Sequence, residues 1–258
     1  MKITLDEAAQ MVTDAQTIIL TSHIRPDGDS IGSTLGMMHY LRERGKDARV
    51  LIDDEIPRIF QILPGIAQIE RPTEGVRYTA DLLIVCDVEL KRTGAVLDAV
   101  DAVRVLNIDH HVTNDEEAEY LYLNPEYAAT CEIMHDLVHT MGGTFSLDAA
   151  TCLYTGMATD TGFFRFSNTT PHTMRAAADL IEIGVKPNII AVAMELKSYD
   201  EVMAQVRAIR SLEMFYDGRV AAVFIDEEKA KEVTTTEGLL DALRVIEGTQ
   251  VVFFMKWL

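Results

Sequence analysis

The sequence predicts an α/β protein: a mostly parallel sheet flanked by helices, with the start of a smaller α/β domain behind it. Three observations predict this. Short β-branched or apolar runs alternate with longer stretches of helical periodicity. The clearest runs end on acids or histidines, as expected of a sheet whose carboxyl edge receives a ligand. Beyond about residue 215 the pattern changes and a second strand–helix–strand series begins.

In chain order, residues 4–15 read as a helix, with Thr4 as N-cap and Glu7 at capping-box spacing. Thr17 to Ser22 is a first buried strand. It leads into His23-Ile24-Arg25-Pro26-Asp27-Gly28-Asp29-Ser30, where Pro26 and Gly28 predict a strand-to-helix loop. Ile31 to Arg44 is helical and stops at Gly45. Asp47 to Ile52 is a second strand, and Ile56 to Ile69 a mixed connector. Asp81 to Cys86 is the clearest strand in the chain and ends at Asp87. A short helix around 95–100 leads to Ala102–Leu106, read as a buried strand that delivers Asn107-Ile108-Asp109-His110-His111 to a loop. Tyr120 to Leu123 is an edge strand, Ala128 to Met141 an amphipathic helix, and Leu147 to Ala158 a mostly apolar helix running into Thr159-Asp160-Thr161-Gly162. Helices are expected over 171–184, 187–196 and 199–214. Arg219 to Ile225 is strand-like and precedes an acidic stretch; Glu237 to Ile246 is helical, and Gln250 to Met255 is a last apolar strand.

Composition narrows the function. Acidic residues outnumber basic ones 41 to 23, a formal charge of −18, and no basic stripe marks a duplex-binding surface. Most of this charge is expected on a solvated surface, the remainder in carboxylates whose charge bound cations offset. Cys86, Cys131 and Cys152 form no CxxC pair and suit a reducing compartment as buried apolar residues. The N-terminal residues lack a signal-peptide core and no run reaches membrane-spanning length, so the chain is expected in the cytoplasm, away from membranes.

The chemistry concentrates in four segments: His23-x3-Asp27-x-Asp29, Asp87, Asp109-His110-His111 and Asp160. Carboxylates and imidazoles suit Mn2+, Mg2+ or related divalent ions, and the absence of cysteine ligands argues against structural zinc. Two such ions about 3.5–4 Å apart clamp the oxygens of an in-line displacement at phosphorus, and the set supplies the roughly six ligands such a pair needs. A lone aspartate after a strand is usually a cap or loop residue. Four such segments, each at an expected carboxyl edge, are not explained that way.

Residues 23–33, Val85-Cys86-Asp87, Asp109-His110-His111 and residues 155–162 resemble, in order and spacing, the four motifs of the DHH phosphoesterase family, over about residues 10–215. Pro26-Asp27-Gly28-Asp29 and residues 161–166 resemble the NrnA-type branch, oligoribonucleases that also dephosphorylate 3′-phosphoadenosine 5′-phosphate. The resemblance implies two divalent ions, Mn2+ first and Mg2+ or Co2+ as alternatives. His23, Asp27 and Asp87 would hold one; Asp29, Asp87 and His110 the other, with Asp87 bridging. Asp160 resembles the remaining ligand, on the first motif's side of the site. Asp109 would orient an imidazole, and His111 resembles the family's phosphate-contacting or proton-transferring histidine. Arg25 and Arg165 are candidate substrate contacts. Gly28 and Gly32 read equally as turn and helix-start residues or as phosphate contacts. Glu132, His135 and His139 share a predicted helix; the i, i+4 histidines could hold zinc, but without an HExxH glutamate they are expected on a solvated face, as are His39 and His172.

The resemblance also implies a domain plan: a DHH catalytic domain over 1–195, a helical linker over 196–216 and a partial DHH-associated substrate domain over 217–258. Family members close that second domain with a Gly-Gly-Gly-His-type motif, which this sequence lacks, so a truncated substrate domain is expected. The implied activity is hydrolysis of short RNA and small nucleotides, such as pApA, by a chain that is often a homodimer in the family. Two alternatives accompany it: a metal-binding domain with little turnover, and a family-II-type inorganic pyrophosphatase, whose basic Ser-Arg-Lys-Lys-Gln-like motif is missing here.

Overall fold

The computed structural model describes residues 1–225 and 237–256. The acidic stretch after Ile225 and the final two residues lie outside them. The chain divides into two compact units, Met1–Glu195 and Leu196–Leu258.

The first unit is built on six parallel strands: β1 (Thr17–Thr21), β2 (Asp47–Leu51), β3 (Ile69–Glu70), β4 (Tyr78–Cys86), β5 (Val100–Asp109) and β6 (Tyr120–Leu123), in the order β3-β2-β1-β4-β5-β6. The central strands are apolar on both sides because both faces of the sheet are covered. Ile18, Leu20, Leu82, Ile84 and Cys86 enter the larger core, while Ile19, Leu83 and Val85 enter a smaller one opposite. Helices α1 (Leu5–Asp14), α2 (Gly28–Arg42), α4 (Thr130–Thr140), α5 (Leu147–Asp160), α6 (Pro171–Ile183) and α7 (Pro187–Glu195) supply the larger core. The four-residue α3 (Val96–Ala99) supplies Val96 to the smaller one. The chain runs outward from β1 to β3, then returns to β1's other side with β4. The β1–β4 boundary is therefore the switch point of the sheet, where open α/β folds leave a crevice at the carboxyl edge.

Several local readings hold. Thr4 and Glu7 form the capping box of α1, with Thr4 N donating to Glu7 Oε2 at 2.7 Å and Glu7 N to Thr4 Oγ1 at 3.2 Å. Others shift for physical reasons. Helix α2 begins at Gly28, because Asp27 accepts from Ser30 N at 3.0 Å and Ser30 Oγ from Asp27 N at 2.9 Å. Asp27 is thus an N-cap and Asp29 a first-turn residue, not loop residues. In β5 the expected buried stretch is largely solvated, with Val103 76% exposed; burial starts at Leu106 and continues through Asp109, which ends the strand.

In the second unit, β7 (Leu212–Phe215), β8 (Val220–Ile225) and β9 (Val251–Lys256) form a three-stranded sheet, β7 antiparallel and β9 parallel to β8. Helices α8 (Tyr199–Ile209) and α9 (Glu237–Arg244) give Ala204, Ala208, Leu239 and Leu243 to a core with Val223 and Ile225. The helix expected to reach residue 214 stops at Ile209, because Leu212–Phe215 pairs with β8 across a Tyr216-Asp217-Gly218-Arg219 turn. Asp-Gly is a hairpin signal, and Asp217 and Gly218 both have positive φ (54° and 84°), as such turns require. Among the described residues no helix is long and apolar enough to cross a membrane.

Candidate metal centre

Three neighbouring strands, β1, β4 and β5, deliver donors at their carboxyl ends. His23 follows β1, Asp87 follows β4, and Asp109 ends β5 with His110 and His111 directly after it. Two helices deliver the rest: Asp27 and Asp29 at the start of α2, and Asp160 as the last residue of α5. Asp87 pays a conformational cost for its place, with φ at 66° in the left-handed region that non-glycine residues rarely occupy.

These donors fall into overlapping groups whose ligand atoms all lie within 4.8 Å of one another: His23 with Asp27 and Asp87, Asp87 with His110 and His111, and Asp29 with His110 and Asp160. Asp87 faces both ways. Its Oδ2 lies 3.5 Å from His23 Nε2 and its Oδ1 3.5 Å from His110 Nε2. His23 Nε2 is 3.6 Å from Asp27 Oδ1; His110 Nε2 is 3.9 Å from Asp29 Oδ2 and 3.4 Å from Asp160 Oδ2. Asp160 therefore stands with Asp29 and His110.

The donor set fits divalent cations. Separations of 3.4–3.9 Å are long for hydrogen bonds but ordinary for ligands of one ion bonded at roughly 2.0–2.2 Å. Each Nδ1 contacts a backbone carbonyl, that of Ile24 at 3.0 Å from His23 and that of Tyr127 at 3.2 Å from His110. Donation there turns each Nε2 lone pair toward the carboxylates. Buried His110 Nε2 has no hydrogen-bond partner among the described residues, as expected of an atom meant for a cation.

Electrostatics agrees. Burial and then the charges of Asp87 and Asp160 push the Asp29 carboxyl well above its usual range. Burial and the charges of Asp87 and Asp27 push Asp160 up to about 7. Burial alone would lower His23 and His110, but the neighbouring carboxylates, Asp27 and Asp87 for His23 and Asp87, Asp29 and Asp160 for His110, outweigh it and raise both to about 10. Asp87 stays ionised: burial opposes its charge, and the imidazoles of His110 and His23 outweigh that penalty. Carboxylates crowded out of water with protons held between them are a site short of positive charge.

Asp109 holds the histidine pair. One oxygen accepts from His110 N at 2.7 Å and His111 N at 3.1 Å and lies 2.8 Å from His111 Nδ1; the other accepts from Asn114 Nδ2 at 2.6 Å. His111 remains half-exposed, and contact with Asp109 raises its pKa. Arg25 and Arg165 are both exposed. Arg165 Nε donates to the Gly162 carbonyl at 2.7 Å, just past the end of α5.

Sequence reading missed several supporting residues. Helix α4 has no side-chain cap of its own at Ala129; Asp29 supplies it from α2, accepting from Thr130 N at 2.6 Å and Cys131 N at 2.8 Å. Thr130 Oγ1 donates to Asp87 Oδ1 at 3.1 Å. Buried Asn107 donates to the Val85 and Val88 carbonyls at 2.9 and 2.8 Å, bracing the turn that carries Asp87. Gly32 and Gly156 lie inside α2 and α5 rather than in turns. They let α2 and α5 meet backbone to backbone, since a Cβ on Gly32 would stand 2.6 Å from the Cys152 carbonyl oxygen, and one on Gly156 would collide with Cys131 Sγ and crowd the Asp29 backbone. Gly28 abuts the Thr159 side chain in the same seam. The predicted solvated histidine face is also corrected: Glu132 and His135 are only 1% and 4% exposed, while His139 and His172 are exposed as expected. His39 is half-buried, with Nε2 3.0 Å from the Pro64 carbonyl.

A parallel α/β sheet whose switch point gathers hard donors around a shared carboxylate has the architecture of metal-assisted phosphoryl chemistry. Residues 17–157 match the model of the DHH family, N-terminal domain. The chain is 32% identical over 241 residues to the bifunctional oligoribonuclease and PAP phosphatase NrnA of Thermus thermophilus, covering 93% of this chain and 72% of that protein. It is 25% identical to the NrnA of Bacillus subtilis, covering 97% and 81% of the two. An exopolyphosphatase-related protein from Bacteroides fragilis shares the fold, with a TM-score of 0.85 at 24% identity over 95% of this chain and 77% of that one. This chain belongs to the DHH family and is a phosphoesterase of the NrnA type.

Proposed function

We propose that the chain is a two-metal phosphodiesterase and phosphatase acting on short oligoribonucleotides, dinucleotides such as pApA among them, and on 3′-phosphoadenosine 5′-phosphate. The observation that carries this reading is Asp87, whose two oxygens face two different imidazoles at 3.5 Å each. A shared carboxylate is what a pair of ions requires. The printed activities of the NrnA relatives supply the substrate class.

On this reading His23, Asp27 and Asp87 hold one ion, and Asp29, Asp87, His110 and Asp160 hold the other. Mn2+ is the first candidate for an oxygen-rich set completed by imidazole. Bound there, the ions supply charge neutralisation at phosphorus and a water acidic enough to attack it at neutral pH. The protein does the rest. Asp109 occupies His111 Nδ1 and leaves Nε2 to contact a phosphate oxygen or carry a proton, a role worth about 10²–10⁴-fold in rate. Arg25 and Arg165 are the candidate contacts for the remaining phosphate charge. Residues 217–258 are read as part of a DHH-associated substrate domain. Three free, buried cysteines support a reducing cytoplasm, and a homodimer completes the proposal.

The test is direct. Incubated with Mn2+, the chain should release mononucleotides from pApA and phosphate from 3′-phosphoadenosine 5′-phosphate, and act poorly on pyrophosphate. Folded, metal-loaded protein inert on both nucleotides would sink the proposal.

A further inference from the structure

A second cluster of imidazole and carboxylate lies between α4 and α6. His135 and His139, one turn apart on α4, point their Nε2 atoms at each other across 3.2 Å. Asp179 on α6 brings Oδ2 to 3.5 Å from His135 Nε2, and the three ligand atoms all lie within 4.8 Å of one another. The surroundings hold this arrangement in place. Asp136 Oδ1 lies 3.1 Å from His135 Nδ1, so that proton is claimed and Nε2 is left as the lone-pair atom. Asp136 is itself fixed through Oδ2, which accepts from the Tyr127 hydroxyl at 2.7 Å and lies 3.1 Å from His172 Nε2. His172 Nδ1 in turn meets buried Glu132 at 2.6 Å. Phe145 stacks on the His135 ring at 17° and meets His139 edge-on.

We propose that His135, His139 and Asp179 form a second metal site, separate from the sheet-edge centre, that takes a borderline ion such as Zn2+. A carboxylate claiming the far nitrogen of a histidine is the usual partner of a metal-bound imidazole, because it fixes the tautomer and raises ligand basicity. Two nitrogens and one oxygen suit Zn2+ better than Mn2+ or Mg2+, which prefer oxygen-rich sets. Three protein ligands leave a position for water. Asp136 is not free to activate that water, because His135, Tyr127 and His172 already occupy it.

Zinc binding is measured on the full chain by equilibrium dialysis with saturating Mn2+ present, comparing wild type with His139→Ala and Asp179→Asn. Both side chains are exposed, so neither substitution opens the core. Zinc that displaces Mn2+ at the sheet edge contributes equally to all three proteins and cancels in the difference. The expected result is one further equivalent of Zn2+ in wild type that His139→Ala loses or binds at least tenfold more weakly, with a smaller loss in Asp179→Asn. With Co2+, the visible absorption of a nitrogen-bearing, low-coordinate site should vanish in His139→Ala. Equal zinc stoichiometry and affinity in the three proteins would overturn the proposal and leave the His135–His139 contact a plain imidazole hydrogen bond.

Discussion

The sheet-edge centre and the α4–α6 cluster use the same side-chain chemistry and are built in opposite ways. The first collects donors from three strand ends and two helices, with Asp29 and Asp87 out of water and Asp87 on a strained backbone. The second takes two donors from one helical turn and a third from a neighbouring helix, with His139 and Asp179 open to solvent. Burial separates them. Carboxylates forced together in a dry site create a standing demand for cations, whereas a trio with two of its three members at the surface can turn to water whenever no ion is present. A metal centre is thus recognised less by its donor list than by the structural cost of assembling it.

The largest expected effect strikes the shared carboxylate. Asp87→Asn keeps the shape, and asparagine tolerates the left-handed backbone, yet one of the two oxygens facing His23 and His110 becomes an amide nitrogen. Turnover of pApA should fall by more than about 100-fold, since altering outer-shell partners alone typically costs 10–100-fold. Calorimetric Mn2+ titration should show both ions weakened; loss of only one would mean Asp87 does not bridge. Next comes Asp109→Asn, which removes an acceptor from His111. It should lower kcat by about 10–100-fold while weakening Mn2+ binding less, and a pure affinity defect would contradict its role as positioning residue.

Gly156→Ala tests the helix seam. Alanine favours a helix by about 1 kcal/mol over glycine, but the added methyl meets Cys131 Sγ and Asp29. Net destabilisation of about 1–3 kcal/mol is expected by urea unfolding, as for other overpacked sites. A stabilised variant would show that the seam gives way.

The remaining test is a pH dependence of the metal-free chain. His23 and His110 have pKa values raised from 6.5 to about 10, and those of Asp29 and Asp160 lie above 3.8, so the folded, metal-free chain binds more protons than the unfolded one between these limits. Stability therefore falls as pH rises through that window. The histidine part is fully present below 6.5 and gone above about 10. The melting temperature of metal-free protein should drop between about pH 6 and about pH 9, and saturating Mn2+ should remove the drop, because the ion binds only the deprotonated donors. An unchanged slope with Mn2+ would mean that other groups set the pH dependence.

Much of the centre was legible because its signals are local. Asp87 stands after the clearest strand, and the Asp109 triplet, Asp160 and the Thr4–Glu7 capping box are read from neighbours in sequence. What escaped depends on partners far along the chain. Nothing near Asp29 announces that it caps α4 a hundred residues later, nor near Gly156 that Asp29 packs on it. Glu132 and His135 read as a solvated face because their polarity is local, while their burial comes from α6 and Phe145. At β7 the Asp217-Gly218 turn was a local signal, and helical periodicity masked it.

The seam of Gly28, Gly32 and Gly156 has a consequence for how such a chain can diversify. Asp29 and Asp160 ride on two helices that meet through bare backbone, so the seam between them has no ready room for even one methyl group. Few neutral sequence changes can widen or narrow it. On the proposed assignment, a change of substrate falls to the exposed rim around Arg25, His111 and Arg165 rather than to the spacing of the charges beneath.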